Sequence, residues 1–574
     1  MKSIKERFVM PTQLDMAIEA TVAKLMNNNG PLSVSYVNKF GVDLPMIKQA
    51  PTNLRDYFAF FCAQQGDKIF LVDNEIRLSF AETYAAARTL AGGLVAGHGV
   101  KKGDHIGIAA RNSANWIIAE MAIIMAGGVA TLLNGWWTGH ELAEGIRLAE
   151  CNIVLADEPR AKRLAKEDIG GAKVILFKHD CPPTEGLSAL IEKGGDHETA
   201  LPELTGEDLA TILFTSGSTG QSKGAYSDHR GVVQGVMSYV GQTLTFFELM
   251  TSMGQAPTLQ PATLLNVPLF HVTAAVPVFM QSFAIGRKLV LMPKWDAEDA
   301  MRLIQKEQIT YFVGVPLMSI EIATHPKRKE YDLTSCTAFA AGGAPRPVDH
   351  VRKIKKEMEH AFPLLGYGLT ETNGVGCGNF TENYLAKPTS TGPATKPIVE
   401  VGIIDDNGNQ LPQGERGEIG IRSIANFLGY WNNEEATKAA FTKDGFFLTG
   451  DIGYLDEDGY LFIVDRKKDI IIRGGENISC PEVEAAAYEH DAIVELSIIG
   501  IEDEKYGEVP GMIYVTKDDT ALDEADIAEF IKARLAPFKV PVHFWHHVGL
   551  LPRLGTQKID RVLLRKLFNE RVNG

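Results

Sequence analysis

The chain has 574 residues, 45% hydrophobic and 22% charged, with a formal charge of −15. That length calls for two or more domains with a sizeable core, and the acidic balance excludes the basic surface that binds nucleic acid. Six cysteines (Cys62, Cys151, Cys181, Cys336, Cys377, Cys480) lie scattered, with no CxxC and no neighbouring His pair at zinc spacing, and reduced thiols in a cytoplasmic protein are the simplest account.

Residues 1–50 carry one helical stripe, Leu14, Ile18, Val22 and Leu25, interrupted by Asp15 and Glu19. The acidic residues argue against a basic membrane-binding helix. The stripe is expected to pack on the body of the protein or on a second subunit, so a homodimer stays open. The opening MKSIKERF lacks the apolar core of a signal peptide, and the longest apolar stretch, around residues 121–133, is too short to span a bilayer.

From about residue 67 to 365, short β-branched runs alternate with helical patterns. Residues 106–110 precede a helix over 115–126; 289–292 precede 297–308 and the run 311–315; 337–340 precede 347–358. Such alternation, with nearly continuous apolar strands, predicts doubly wound parallel sheets covered on both faces. After Asn379 the turns DDNGNQ and DEDGY predict a small β-rich subdomain. From Lys468 a second α/β pattern begins, with helices near 481–489 and 524–535. The expected architecture is an N-terminal extension (1–50), a large N-terminal α/β domain (51–467) and a small, mobile C-terminal α/β domain (468–574).

One loop stands out. Residues 214–224, FTSGSTGQSKG, follow the apolar run 210–214 and combine three glycines, five hydroxyls and a lysine. Glycines let backbone N–H groups approach a ligand closely, hydroxyls add donors and lysine adds charge, a set that suits a polyphosphate. The spacing is not that of a Walker A loop. The alternative is a flexible surface loop.

The ordered company of this loop decides between them. TSGSTGQSKG, VPLFHVTA (267–274), AAGGAP (340–345), GYGLTET (366–372), the run from LTGD to PEVE (448–484), LAPFKVP (535–541) and GTQKIDR (555–561) together resemble the motifs of the adenylate-forming superfamily, in its acyl-CoA synthetase branch. The resemblance spans roughly residues 50–570. It implies an AMP-forming acid–thiol ligase: a carboxylic acid reacts with ATP and Mg²⁺ to give an acyl adenylate, which coenzyme A then takes up as a thioester.

The resemblance also implies roles. Thr215, Ser216, Gly217, Ser218, Thr219, Gly220 and Lys223 would hold the β- and γ-phosphates. Thr370 would donate to the α-phosphate and Glu371 would bind the metal, since Mg²⁺ takes hard oxygen ligands. Tyr367, between Gly366 and Gly368, would stack on adenine opposite Gly342, Gly343, Ala344 and Pro345. Asp451 would accept from the ribose hydroxyls and Arg466 would reach the ribose. Lys558 would counter charge at the reacting carboxylate and α-phosphate. After adenylation the C-terminal domain would turn about Lys468, withdrawing Lys558 and bringing Gly474 and Gly475 to the pantetheine. Two positions depart from the usual pattern: Ser222 replaces a proline and Gln557 a glycine.

Substrate class rests on VPLFHVTA. Amino-acid-activating relatives carry an aspartate where His271 stands, so an uncharged acyl group is expected, with His271 as an aromatic gate. The lining segments 272–275 (with Val272), 313–315 (with Val315), 340–342 (with Gly342) and 374–376 (with Gly374) are small and apolar, without a charge. NGWWTGHEL (134–142) resembles bacterial fatty-acyl ligases. The expected substrate is a medium- or long-chain fatty acid or a ring-bearing acid, with an arylpropenoate less favoured. A freestanding enzyme, without an attached carrier domain, is expected. An acyl-AMP ligase loading a separate carrier protein, a luciferase-like oxygenase and a non-catalytic nucleotide-binding scaffold are the other readings. The last would be expected to have lost Lys558, Glu371 or Asp451.

Overall fold

A computed structural model of the chain describes residues 13–27, 29–215, 222–342, 346–474, 476–554 and 558–573. Two mixed sheets carry the large N-terminal part. In the first, the strands run in the order Gly429–Tyr430, Lys223–Asp228, Leu209–Thr215, Val129–Leu132, His105–Ala109, Ile153–Ala156 and Lys173–Leu176. Pairing is parallel from Leu209–Thr215 outward to Lys173–Leu176, and antiparallel at the two strands on the other edge. The second sheet has a parallel core from Phe362–Gly368 through Ala338–Ala341, Tyr311–Gly314, Ala262–Leu265 and Lys288–Leu291 to Ile69–Asp73. Antiparallel strands, Gly376–Asn379 and Ile76–Ser79, close its two edges. The parallel cores match the expected alternation; the antiparallel edges were not anticipated.

The expected helices form within a residue or so at their starts, because local caps fix them. Asp296 accepts from Asp299 N–H at the head of Ala297–Glu307, and Ser113 accepts from Trp116 N–H at the head of Ala114–Met125. Ser479 and Asp523 cap Cys480–Ala487 and Glu524–Lys532 in the C-terminal part. The C-terminal ends are less well predicted: Glu524–Lys532 stops short of residue 535 because a Leu-Ala-Pro stretch follows.

The β-rich segment is a four-stranded antiparallel sheet, Val399–Ile404, Gly417–Ser423, Phe447–Leu455 and Leu461–Arg466. The C-terminal part has its own sheet: Glu476–Ile478, Ile471–Arg473, Gly507–Thr516 and Ile493–Asp503 are antiparallel, and His543–His546 adds in parallel to Gly507–Thr516. Its helices Cys480–Ala487 and Glu524–Lys532 cover one face around Ile498, Met512 and Ile527, while Leu564 and Phe568 of Arg561–Asn573 cover the other around Ile499 and Ile513.

Helix Gln13–Met26 packs on helix His229–Ser252. Asp15 faces the body, accepting from Asn383 Nδ2 and Tyr460 Oη at 2.7 Å each, while exposed Glu19 pairs with Lys396 at the surface. Among the described residues no helix is long and apolar enough to cross a membrane.

Every residue of Ala114–Met125 is buried, including Glu120, whose carboxylate oxygens have no hydrogen-bond partner among the described residues. Burial raises its pKa from 4.5 to about 8. The folded protein therefore keeps Glu120 neutral up to that pH, whereas the unfolded chain ionises it above 4.5. Stability is fully present below pH 4.5 and is lost as pH rises through about 8. At about 1.4 kcal/mol per pKa unit the loss is on the order of 5 kcal/mol. Glu120→Leu is expected to raise the thermal midpoint in calorimetry, with the gap over wild type widening from pH 5 to 8; a gap independent of pH would refute the assignment.

Candidate active site

The strand ends of the two large sheets and the C-terminal part meet around Glu371. Leu209–Thr215 and Lys223–Asp228 form an antiparallel pair in which Thr215 lies opposite Lys223, so the loop between them opens at the end of a buried strand. Ser216, Gly217, Ser218, Thr219 and Gly220 lie outside the described residues. Lys223 Nζ sits 4.8 Å from the centre of the Tyr430 ring, and Tyr430 Oη donates to Glu371 Oε1 at 2.9 Å. Burial raises the Glu371 pKa, against the Tyr430 hydrogen bond and the charges of Arg466 and Lys223. Glu371 occupies a 3₁₀ turn, Thr370–Thr372, and its carbonyl accepts from Phe427 N–H. Thr370, half-buried, opens the same turn.

On the other side, Tyr367 Oη donates to Asp451 Oδ2 at 2.7 Å and Arg466 Nε lies 3.2 Å from Asp451 Oδ1. Adjacent antiparallel strands cause this, because Asp451 and Arg466 are paired across Phe447–Leu455 and Leu461–Arg466. Burial and the carboxylate of Asp451 push the Tyr367 phenol well up.

Lys558 reaches this cluster from the C-terminal part. Burial and the Arg466 charge lower its pKa to about 8, while Asp451 and Glu371 oppose the shift. The same ammonium acts on His271: burial first, then the Lys558 charge, pushes the imidazole down to about 3. His271 is thus neutral, and its Nδ1 accepts from Thr273 N–H at 3.3 Å, leaving the proton on Nε2. Lys223, Arg466 and Lys558 against Glu371 and Asp451 leave one net positive charge, complementary to a polyphosphate.

The glycines fall into two groups. A Cβ on Gly368 would lie 1.8 Å from Gly374 O, so the two backbone segments touch. Among the described residues a Cβ on Gly366 would meet nothing within 4 Å, and one on Gly342 only Gly366 O, at 3.6 Å. Gly343, Ala344 and Pro345 lie outside the described residues, as do Gly475 and Gln557. Gly474 turns at φ +58° between two strands and donates its N–H to Tyr506 O within the C-terminal part.

The segments expected to line an acid pocket converge. Gly374, at φ +82°, has Tyr239 Oη, Val272 Cγ2 and Pro277 Cδ at 3.4, 3.5 and 3.7 Å from a Cβ position. Val272 is buried in the turn after His271, and half-buried Val315 caps helix Pro316–Thr324. The segments themselves are apolar, as expected, but the surrounding structure adds what the sequence reading omitted. Tyr239 Oη donates to Gly374 O, and buried Arg287 stands behind Pro277. Tyr430 was also missed. Tyr239 leaves a faint trace as a phenol beside buried Gln234 and Ser238 in its helix; Tyr430 has no local signal.

Among the described residues no group of three or more metal-ligating side chains exists. The single buried carboxylate of Glu371 fits a magnesium ion that takes its remaining oxygen ligands from phosphate and water.

Comparison with known proteins agrees with this geometry. The model described as AMP-binding enzyme matches residues 58–431, and that described as AMP-binding enzyme C-terminal domain matches residues 482–558. The chain belongs to this family, in the acyl-CoA synthetase branch of the adenylate-forming enzymes. It is 31% identical to a 2-succinylbenzoate–CoA ligase of Bacillus licheniformis, over 86% of this chain and 96% of the relative. It is 29% identical to a long-chain-fatty-acid–CoA ligase of Bacillus subtilis, over 95% and 99%. Among solved structures, ATP-bound MatB from Rhodopseudomonas palustris superposes with a TM-score of 0.80 at 28% identity, covering 90% of this chain and 99% of that one.

Proposed function

We propose that the protein is an ATP-dependent acyl-CoA ligase that activates a carboxylic acid with a hydrophobic body. The observation that carries this reading is the position of Lys558, held in one electrostatic environment with Glu371, Asp451, Arg466 and His271. The CoA-ligase names of its relatives support the second half-reaction.

ATP with Mg²⁺ would supply the activated phosphorus and neutralise phosphate charge when bound. An oxygen of the acid attacks the α-phosphorus, the bond to the bridging oxygen breaks, and pyrophosphate leaves. Lys558 counters the charge that collects between carboxylate and phosphate, and Lys223 and the hydroxyl of Thr215 hold the departing oxygens. Tyr367 stacks on the base; Asp451, oriented by Tyr367 and Arg466, accepts from the ribose. Neutral His271 borders the acyl group without adding charge. In the second step the thiolate of coenzyme A attacks the acyl carbon and AMP leaves, with Gly474 approaching as the C-terminal part turns at Lys468.

Pyrophosphate release from acetate, hexanoate, decanoate, a ring-bearing propanoate and phenylalanine, with and without CoA, tests the reading. Each buried methylene contributes about 0.8 kcal/mol, so rates are expected to rise with acyl length or ring area. Phenylalanine should be rejected, because its ammonium would be buried without a partner at a cost of several kcal/mol. Acetate or phenylalanine coming out best sinks the substrate class. Hydroxamate trapping that proceeds equally without CoA, and no thioester product, would favour an acyl-AMP ligase instead.

A further inference from the structure

Arg287 is a buried cation without a counter-ion. It is 5% exposed, and among the described residues it makes no ion pair with a carboxylate. Its Nη1 donates to Pro277 O at 3.2 Å and its Nη2 to Gln281 Oε1 at 2.9 Å, while the guanidinium lies 5.1 Å from the centre of the Tyr311 ring. These contacts engage two of its five N–H groups. Burial pulls its pKa down to about 10.

The arginine is wired to the wall of the acid pocket. Gln281 Nε2 donates to Tyr239 O at 2.9 Å, and Tyr239 Oη donates to Gly374 O. Tyr311 begins the strand Tyr311–Gly314, whose Val313 belongs to the same wall. Tyr239, Pro277 and Tyr311 each keep part of their surface, yet burial raises both phenols. Arg287 immediately precedes Lys288–Leu291 and Tyr311 opens Tyr311–Gly314, so both stand at the start of the parallel strands, the opposite end from the strand ends around Glu371.

A guanidinium taken out of water is costly unless an anion joins it. Its planar fork matches a carboxylate through two parallel hydrogen bonds. We propose that the acid this protein activates carries a second carboxylate at the end remote from the reacting one, and that Arg287 is the specificity-determining residue that receives it. This rests on the acyl-CoA ligase reading and narrows it to an acid with an apolar body and an anionic tail. The phenol of Tyr311, whose ring lies against the guanidinium, adds a hydroxyl donor for the same group, while the single O–H of Tyr239 stays on Gly374 O.

The test pairs α,ω-dicarboxylic acids with monocarboxylic acids of six to twelve carbons, using the full-length protein. The wild type is expected to favour the diacid in kcat/KM at the length that reaches from Lys558 to Arg287. In Arg287→Met the diacid-to-monoacid ratio should fall about 10²-fold, the scale of removing one partner of a buried charge pair. Arg287→Lys, which keeps the charge and loses the fork, should fall between. Calorimetric titration of the same acids reads binding without turnover. Diacids that bind the wild type tightly and Arg287→Met weakly, with no thioester formed, would support the arginine while overturning the CoA reading. Monoacids preferred at every length by the wild type would overturn the proposal even if Arg287→Met does not fold. A ratio unchanged in Arg287→Met would reduce Arg287 to a clamp on Pro277 and Gln281.

Discussion

Replacing Lys558 by alanine is expected to lower acyl-adenylate formation about 10²–10³-fold, the scale of losing one preorganised charge-stabilising donor. Thioester formation from pre-made acyl adenylate should survive, because that step does not develop charge between a carboxylate and a triphosphate. The pH profile gives an independent reading. With its pKa lowered to about 8 by burial and by Arg466, free-enzyme Lys558 loses its proton above that pH, so kcat/KM for adenylation should fall on the alkaline side near 8. Bound phosphates favour the ammonium, so the alkaline limb of kcat should lie higher. Equal losses in both half-reactions, or limbs that do not separate, would assign Lys558 a structural role.

The residues that assemble around Glu371 were legible because each lies in a dense local motif at a strand end. Thr215 and Lys223 end paired strands, Thr370 and Glu371 follow Phe362–Gly368, and Asp451 and Arg466 face each other across a hairpin. Sequence order and backbone geometry agree at these positions, so the motif announces the site. Tyr430, Tyr239 and Arg287 were not legible, for a different reason. Each owes its position to a contact with a residue far away in the chain, and the local sequence is compatible with a bland reading. In the sequence Arg287 and Lys288 are simply two adjacent basic residues at the start of a strand. In an extended backbone successive side chains point to opposite faces. Lys288 therefore reaches Glu307, at 3.0 Å, while Arg287 turns inward to Gln281 and Tyr311. The sequence-level view of an acid pocket without a nearby charge followed from counting only the residues inside its motifs.

Lys468→Pro is expected to leave adenylation within a few-fold of wild type and to reduce thioester formation by on the order of 10²-fold, the scale of misplacing a reacting group. The expectation follows from the backbone between the two sheets on either side of this residue. Lys467 N–H donates to Gly450 O, and Asp469 and Ile470 both donate to Arg466 O. Lys467 is further held by Asp406 and Glu418, at 3.2 and 3.1 Å. Lys468 N–H has no backbone acceptor among the described residues, so proline removes no main-chain hydrogen bond there, and a rotation at Lys468 opens only the bonds that Asp469 and Ile470 make to Arg466 O. Proline fixes φ there and also restricts Lys467 before it. On the proposed mechanism the present arrangement, with Lys558 in the electrostatic environment of Glu371 and Asp451, is the one adenylation uses, and locking it should cost that step little. On the same proposal Gly474 would reach the acyl adenylate only if the C-terminal part turned as a body, since Gly474 is tied to Tyr506 within that part. Burial lowers the Lys468 pKa, so its ammonium has surroundings of its own, and Lys468→Ala separates loss of that charge from loss of rotation. The alanine variant should retain both half-reactions. If Lys468→Pro also retains both, measured as pyrophosphate release and as thioester formed from supplied acyl adenylate, the turn at Lys468 is not the pivot.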